Sequence, residues 1–389
     1  MRQRPRPIYL DGHATTPLDP RVLEAMLPWL QEQFGNPSSQ GHLYGWEAAA
    51  AVKQARQLLA EAVGSGHPEE IIFTSGATEA NNLAIKGVAE AYLAKGRHIV
   101  TVQTEHRAVL EPCRYLASLG FEVTYLEVDS EGMISLSALE QVLRPDTILV
   151  SVMAANSEIG VLQPLEEIGR LCRDRQIIFH TDAAQALGKI PLHVERMQID
   201  VMSFTAHKLY GPKGIGALYL RRRSPQIRLA PQLHGGGQEG GLRSGTLPTH
   251  QIVGFAKAVE LALQELPQEA VRLQQLRGSL WTQLQALGGV ILNGHPTQRL
   301  PGSLSVSIEG VEGAALLLGV RAVIAFSSGS ACASGQTQPS HVLLALGREP
   351  QLASAALRFG IGRFNTAEDI DTAAQTVSAV VQALRQARA

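Results

Sequence analysis

From about residue 21 to residue 220, short apolar runs rich in Val and Ile alternate with longer segments of helical period. Few folds accept that alternation. Parallel strands need a long crossover between them, and strands covered on both faces read as continuous apolar runs, so the pattern predicts a mainly parallel sheet with helices on both sides. Helices are expected at 21–34, 46–63, 79–95 and 165–175, with Gly64 and Gly96 placed to end two of them. Seven strands are expected, at 70–74, 98–102, 122–128, 147–153, 177–181, 201–204 and 215–220.

Beyond this α/β region the pattern changes. A long helical period at 250–286 is followed by strand-like runs at 303–308 and 357–361 and a last helix at 367–386, the ingredients of a smaller α+β domain. At 389 residues the chain exceeds what one core usually serves. A large domain over 16–255 is therefore expected, with residues 1–15 and 256–389 forming the smaller one.

The 34 basic residues nearly balance 35 acidic ones, for a net charge of −1, so no global field draws the chain to nucleic acid or an anionic membrane. The opening MRQRPRPIYL lacks an apolar signal-peptide run, and no later stretch has the length of a membrane span. The expectation is a soluble, cytoplasmic protein. Three cysteines, Cys113, Cys172 and Cys332, are too few and too scattered for a disulfide framework or a metal site.

In an open α/β sheet, ligands sit beyond the carboxyl ends of the strands, and polar residues gather there in this chain. Ser75, Gly76, Ala77 and Thr78 lie between a strand and a helix, where backbone N–H groups can hold a phosphate or Thr78 can cap the helix. Asp182 of HTDAAQ ends a strand, either as a helix cap or as the partner of a buried cation such as a protonated pyridine nitrogen. Lys208 of FTAHKLYGPKG lies beyond the next strand with Thr205 and His207 beside it, a spacing suited to a Schiff-base lysine with phosphate donors. His106 follows a further strand and can stack on a flat ring while moving protons. Cys332 stands in FSSGSACASGQ, a stretch of small residues with little to anchor it in a core, as an exposed nucleophile requires. Cys113 and Cys172 sit in helical patterns beside leucines and read as small buried hydrophobes.

TSGATE, TEH, TDAAQ, AHKLYGPKG, RSGTLP and SSGSAC stand in the order seen in the cysteine desulfurases, and from about Ile8 to Phe364 the chain resembles that family. It is most similar to the housekeeping iron–sulfur-cluster and nitrogen-fixation group with a long catalytic-cysteine loop. The resemblance implies the aspartate-aminotransferase (fold type I) architecture, pyridoxal 5'-phosphate as cofactor, L-cysteine as substrate and a homodimer with shared active sites. It also implies a sulfur-acceptor protein, such as an iron–sulfur scaffold, as partner. By residue it implies Lys208 as the Schiff-base lysine, Asp182 on the pyridine nitrogen, Gln185 on the phenolic oxygen and His106 as stacking group and proton carrier. Ala77, Thr78, Thr205 and His207 would hold the phosphate, Thr246 would reach it from the other subunit, Arg358 would clamp the substrate carboxylate, and Cys332 would take the sulfur.

Two positions depart from the family pattern. Ser157 replaces the second Asn of Asn-Asn-Glu-Ile-Gly, and the chain ends at Ala389 without the longer tail of bacterial relatives. Competing readings are a selenocysteine lyase or an aminotransferase on the same fold, and a non-catalytic sulfur-relay or scaffold protein. The SSGSAC cysteine argues against simple transamination, and the joint retention of Lys208, Asp182, His106 and Arg358 argues against a relay without chemistry.

Overall fold

The structure, a computed structural model, describes residues 6–327 and 339–387. The chain enters through β1 (Ile8–Tyr9), α1 (Pro20–Gln31), α2 (Leu43–Ala62) and β2 (Ile71–Thr74). Strand and helix then alternate: α3 (Ala77–Ala91), β3 (His98–Val102), α4 (Arg107–Ser118), β4 (Glu122–Leu126), α5 (Leu136–Val142), β5 (Thr147–Ser151), α6 (Leu165–Asp174) and β6 (Ile178–Asp182). Next come β7 (Val201–Thr205), β8 (Gly216–Leu220) and the long α7 (Thr249–Gln285). The remaining elements are β9 (Val290–Leu292), β10 (Ser303–Ile308), α8 (Gly313–Val320), β11 (Ile324–Ala325), α9 (His341–Ala345), α10 (Pro350–Ser354), β12 (Ala356–Gly360) and α11 (Ala367–Gln386).

The main sheet has the seven strands expected, in the order β2-β8-β7-β6-β5-β3-β4. Strands β7, β6, β5, β3 and β4 pair in parallel, and β8 runs antiparallel to both of its neighbours. Successive side chains point to opposite faces. In β2, Ile71 and Phe73 enter one core with α1, α2, α6 and the first half of α7, while Ile72 enters the other with α3 and α4. That double burial is why these strands lack a polar alternation. Cys113 and Cys172 are buried, one in each of these cores, as expected of small hydrophobes.

A separate core gathers β10, β12, α8, α11 and the end of α7. Helix α7 serves both regions: Ile252, Phe255 and Val259 pack on the main sheet, Leu280 and Leu284 in the smaller core, with Pro267 between them. The smaller sheet is antiparallel, in the order β12-β10-β9. Most element boundaries match the sequence reading within three residues. Two strands stop early, at Leu126 and Ser151. After Ser151 the chain leaves the ladder, and Met153 and Ala155 become wall residues of a cleft. Short elements such as β1, β9, β11 and α8 to α10 span too few residues for periodicity to reveal.

One buried polar group ties three strands together. His180 of β6 places Nδ1 2.8 Å from Ser151 Oγ on β5 and Nε2 3.0 Å from Ser203 Oγ on β7. Burial lowers its pKa to about 4, whereas an unfolded histidine titrates near about 6.5. The unfolded chain therefore binds the extra proton first as pH falls. The contribution of His180 is complete above pH ~6.5 and declines toward pH 4, by about 3 kcal/mol in all. Urea midpoints measured across this interval are expected to fall with pH in the native chain and to fall less steeply in His180→Asn.

Candidate active site

The carboxyl ends of β5, β6 and β7 open into a cleft of about 540 Å³. Its wall includes Ala77, Thr78, His106, Asp182, Gln185, Thr205, His207 and Lys208. Eight of the residues singled out in the sequence thus converge, from segments spread over more than a hundred positions. Parallel pairing explains this: β6 and β7 run side by side, with Asp182 opposite Ser203, so both deliver their terminal residues to one edge.

One end of the cleft is built for an anion. Gly76 precedes helix α3 as its N-cap, its φ of +153° lies where few L side chains go, and no side chain caps the first turn. The leading N–H groups of the helix are left free to face a ligand, with the helix dipole behind them. Gly216 permits the approach, because a Cβ there would stand 2.6 Å from the Gly76 Cα. Glu79 accepts from Ser75 N at 2.7 Å and pairs with Arg243 Nε at 2.7 Å, which orders the turn from below. Thr205 and His207 flank the same end, and Thr15 holds the His207 ring through a 3.1 Å contact to Nδ1.

Asp182, in the same cleft, is buried, and both of its oxygens are engaged. Asn81 Nδ2 donates to Oδ2 at 2.7 Å and Ala184 N donates to Oδ1 at 2.9 Å. Asn81 is a residue the sequence reading did not assign. The only signal was a polar side chain on the apolar face of a helix. Lys208 lies in a single turn after β7, where burial lowers its pKa and the Asp182 charge opposes that shift. His106 caps α4, with Nδ1 accepting from Ala108 N at 3.0 Å. A neutral ring therefore carries its proton on Nε2. Desolvation first, and the Lys208 charge second, lower its pKa, which favours the neutral ring.

Arg358 approaches from the smaller sheet. Its Nη2 pairs with Asp11 Oδ1 at 2.8 Å and its Nη1 donates to the Ser157 carbonyl at 3.4 Å. Ser157 itself lines the cleft, so the position that departs from the family pattern lies at the site. Asp11 also accepts from Ser327 Oγ at 2.9 Å, and the sequence reading did not assign it. Thr246 is exposed and is not among the cleft residues of this single chain. Cys332 lies outside the described residues.

The residues present fit pyridoxal phosphate. An uncapped helix terminus suits its phosphate, the buried Asp182 carboxylate suits a protonated ring nitrogen, and Lys208 lines the same cleft. Asp182→Asn removes the anion that favours the Lys208 ammonium. The amine should then react with an aldehyde at lower pH than in the native chain, which borohydride trapping and mass spectrometry would measure.

The profile of the class-V aminotransferase family matches residues 8–372. A protein named cysteine desulfurase IscS from Methylococcus capsulatus is 52% identical over 380 residues, which cover 98% of this chain and 94% of the relative. A cysteine desulfurase of Mus musculus is 53% identical over 382 residues, 98% of this chain and 83% of the relative. Among solved structures, a NifS-like protein superposes with a TM-score of 0.90 at 39% identity, covering 97% of this chain and all of that one. The structure titled SspA in complex with cysteine gives a TM-score of 0.80 at 38% identity, with 92% and 100% covered.

Proposed function

We propose, for a chain that belongs to the class-V aminotransferase family and within it to the cysteine desulfurases, a division of labour among the cleft residues. The activity itself follows from membership: the chain is a pyridoxal-phosphate-dependent enzyme that converts L-cysteine to L-alanine and passes the sulfur to an enzyme cysteine. The observation that carries the assignment of roles is the delivery of Asp182 and Lys208, by adjacent parallel strands, to a cleft that begins at an uncapped helix terminus.

In this reading Lys208 holds the cofactor covalently and takes the α-proton of the substrate. Ala77 N–H, Thr78, Thr205 and His207 bind the phosphate, and Gln185 donates to the phenolic oxygen. Asp182, fixed by Asn81 and Ala184, keeps the ring nitrogen protonated, and the cofactor then supplies the electron sink for carbanion chemistry. His106 covers the ring and moves protons through Nε2, the position left free by its capping bond. Arg358, steadied by Asp11, clamps the substrate carboxylate.

Cys332 acts as the nucleophile, an assignment that rests on the SSGSAC motif. Its thiolate attacks the substrate sulfur, so that an S–S bond forms as the C–S bond breaks. The electron pair of that bond passes to carbon, and protonation there completes alanine. An unperturbed thiol has a pKa of about 8.5, so part of the work of the site is to ionise Cys332 near neutral pH.

The active assembly in this reading is a homodimer, with Thr246 of one subunit completing the phosphate site of the other. Leu23, Leu27, Leu30, Phe34, Leu43 and Trp46 are exposed on α1, α2 and the segment between them, an apolar surface larger than isolated residues would leave. Residues 16–255 carry the cofactor, and 1–15 with 256–389 form the part that carries Cys332. The sulfur goes on to an acceptor protein, for which an iron–sulfur scaffold is the proposed partner. The compartment proposed is the cytoplasm, and no helix among the described residues is long and apolar enough to cross a membrane.

An anaerobic assay with L-cysteine and a thiol reductant tests the reading, with alanine and sulfide expected in equal yield. Lys208→Ala should lose both turnover and the visible absorption of lysine-bound cofactor. Cys332→Ala should keep the colour and lose the persulfide, and full activity in that variant would refute the nucleophile assignment. Thr246→Ala should weaken cofactor retention roughly tenfold, the usual order for a hydrogen bond to a charged group, as read by equilibrium dialysis.

A further inference from the structure

Lys208 faces two spaces. On one side is the cleft, and on the other a smaller cavity whose wall includes His13, Lys189, Tyr210, Glu269 and Arg363. The cleft chemistry uses none of these five residues. Gln185 and Lys189 link the two spaces: Gln185 lines the cleft, Lys189 lines the rear cavity, and Lys189 Nζ lies 2.9 Å from Gln185 Oε1.

The amide of Gln185 has only one consistent orientation. Its Nε2 donates to the His13 carbonyl at 2.7 Å, and a carbonyl can only accept. The oxygen must therefore face Lys189 and His13 Nδ1, which stands 3.2 Å away. One of the two Nε2 hydrogens is spent on His13, and the other is free to point into the cleft. His13 is buried, and its Nδ1, facing an acceptor, carries the ring proton. Of the two donors on Oε1, Lys189 is the nearer.

We propose that Lys189 is a positioning residue for the desulfurase reaction, holding the Gln185 amide so that its free Nε2 hydrogen is presented to the phenolic oxygen of the cofactor. This rests on the role given above to Gln185. It assigns Lys189 no contact with substrate or cofactor. The groups that bear on Lys189 are Gln185 from the cleft, Lys208 between the two spaces, and His13 and, from α7, Glu269 in the rear cavity. Burial first, and the like charge of Lys208 second, bring its pKa down to about 7. Around neutral pH it is thus partly an uncharged amine, which still donates, so its service to Gln185 does not require the charge.

A donor on the phenolic oxygen makes that oxygen a poorer partner for the protonated lysine–cofactor nitrogen and lowers the pH at which the nitrogen loses its proton. The test is a pH titration of the visible absorption of the cofactor-loaded protein, without substrate. Lys189→Met should raise the midpoint by about one pH unit, the order expected when a hydrogen bond to the charged form is lost. Gln185→Ala should raise it similarly, and the double variant should match Gln185→Ala alone, since Lys189 acts through that amide. Lys189→Gln keeps an N–H donor without a charge and should stay within ~0.3 units of the native midpoint. Lys189→Leu, which also lacks a donor, takes the place of Lys189→Met should the latter fail to fold, with the same shift expected.

An unshifted midpoint in a folded, cofactor-bound Lys189→Met protein overturns the proposal. So does an additive double variant, or a Lys189→Gln shift as large as that expected of Lys189→Met, since either would mean that Lys189 acts by charge. A native chain without lysine-bound absorption would instead refute the assignment of Lys208, and with it the functional reading on which this inference depends.

Discussion

The covering of one sheet on both faces governs nearly everything else in this molecule. Two apolar cores press on β2 to β8 from opposite sides, so the ligand cannot approach the sheet across either face. What remains open is the edge formed by the strand ends. Parallel pairing of β5, β6 and β7 sends their carboxyl ends to the same side, and the chain has spent its polar residues there. The three-strand bridge through His180 holds these strands in step just before the site begins.

Electrostatically the cleft is divided. The anion end is made from backbone, the uncapped turn of α3, with glycines at 76 and 216 allowing two segments to approach closely. The cation site is made from a carboxylate with both oxygens occupied, which removes its freedom to turn away from a ligand. Lys208 and His106 share this cleft, where burial lowers both pKa values, the Lys208 charge adds to the shift of His106 and the Arg358 charge adds to that of Lys208. Groups that exchange protons near neutrality are favoured by that arrangement. Arg358 is tied through Asp11 to Ser327, the last described residue before the segment that contains Cys332, so the proposed carboxylate clamp and the base of that segment share one carboxylate.

Much of the fold was legible because its signals are local. Val- and Ile-rich runs bounded by Gly mark strands whichever neighbours they acquire, and 98–102 and 303–308 were located to the residue. The site was legible in part for the same reason: Asp182, Lys208 and His106 each follow such a run. Asn81, Asp11, His13 and Lys189 were not. Their significance lies in partners 101, 347, 172 and 4 positions away, and three of these four contacts exist only after the strands are assembled. Lys189 is close to Gln185 in sequence, but a lysine four residues on gives no sign that it faces a rear cavity rather than solvent.

The amino-acid sequence by itself determined the class of fold, the family and the residue types available for chemistry, because periodicity and motif order are properties of the chain read in one dimension. Only the tertiary structure decided which groups meet. It placed Asn81 on Asp182, Asp11 on Arg358 and the His13 carbonyl on Gln185, and it left Thr246 outside the cleft of its own chain. Hydrogen bonds and ion pairs depend on distances of about 3 Å, and such distances are set by how the strands pair and twist, which no local pattern in the sequence encodes.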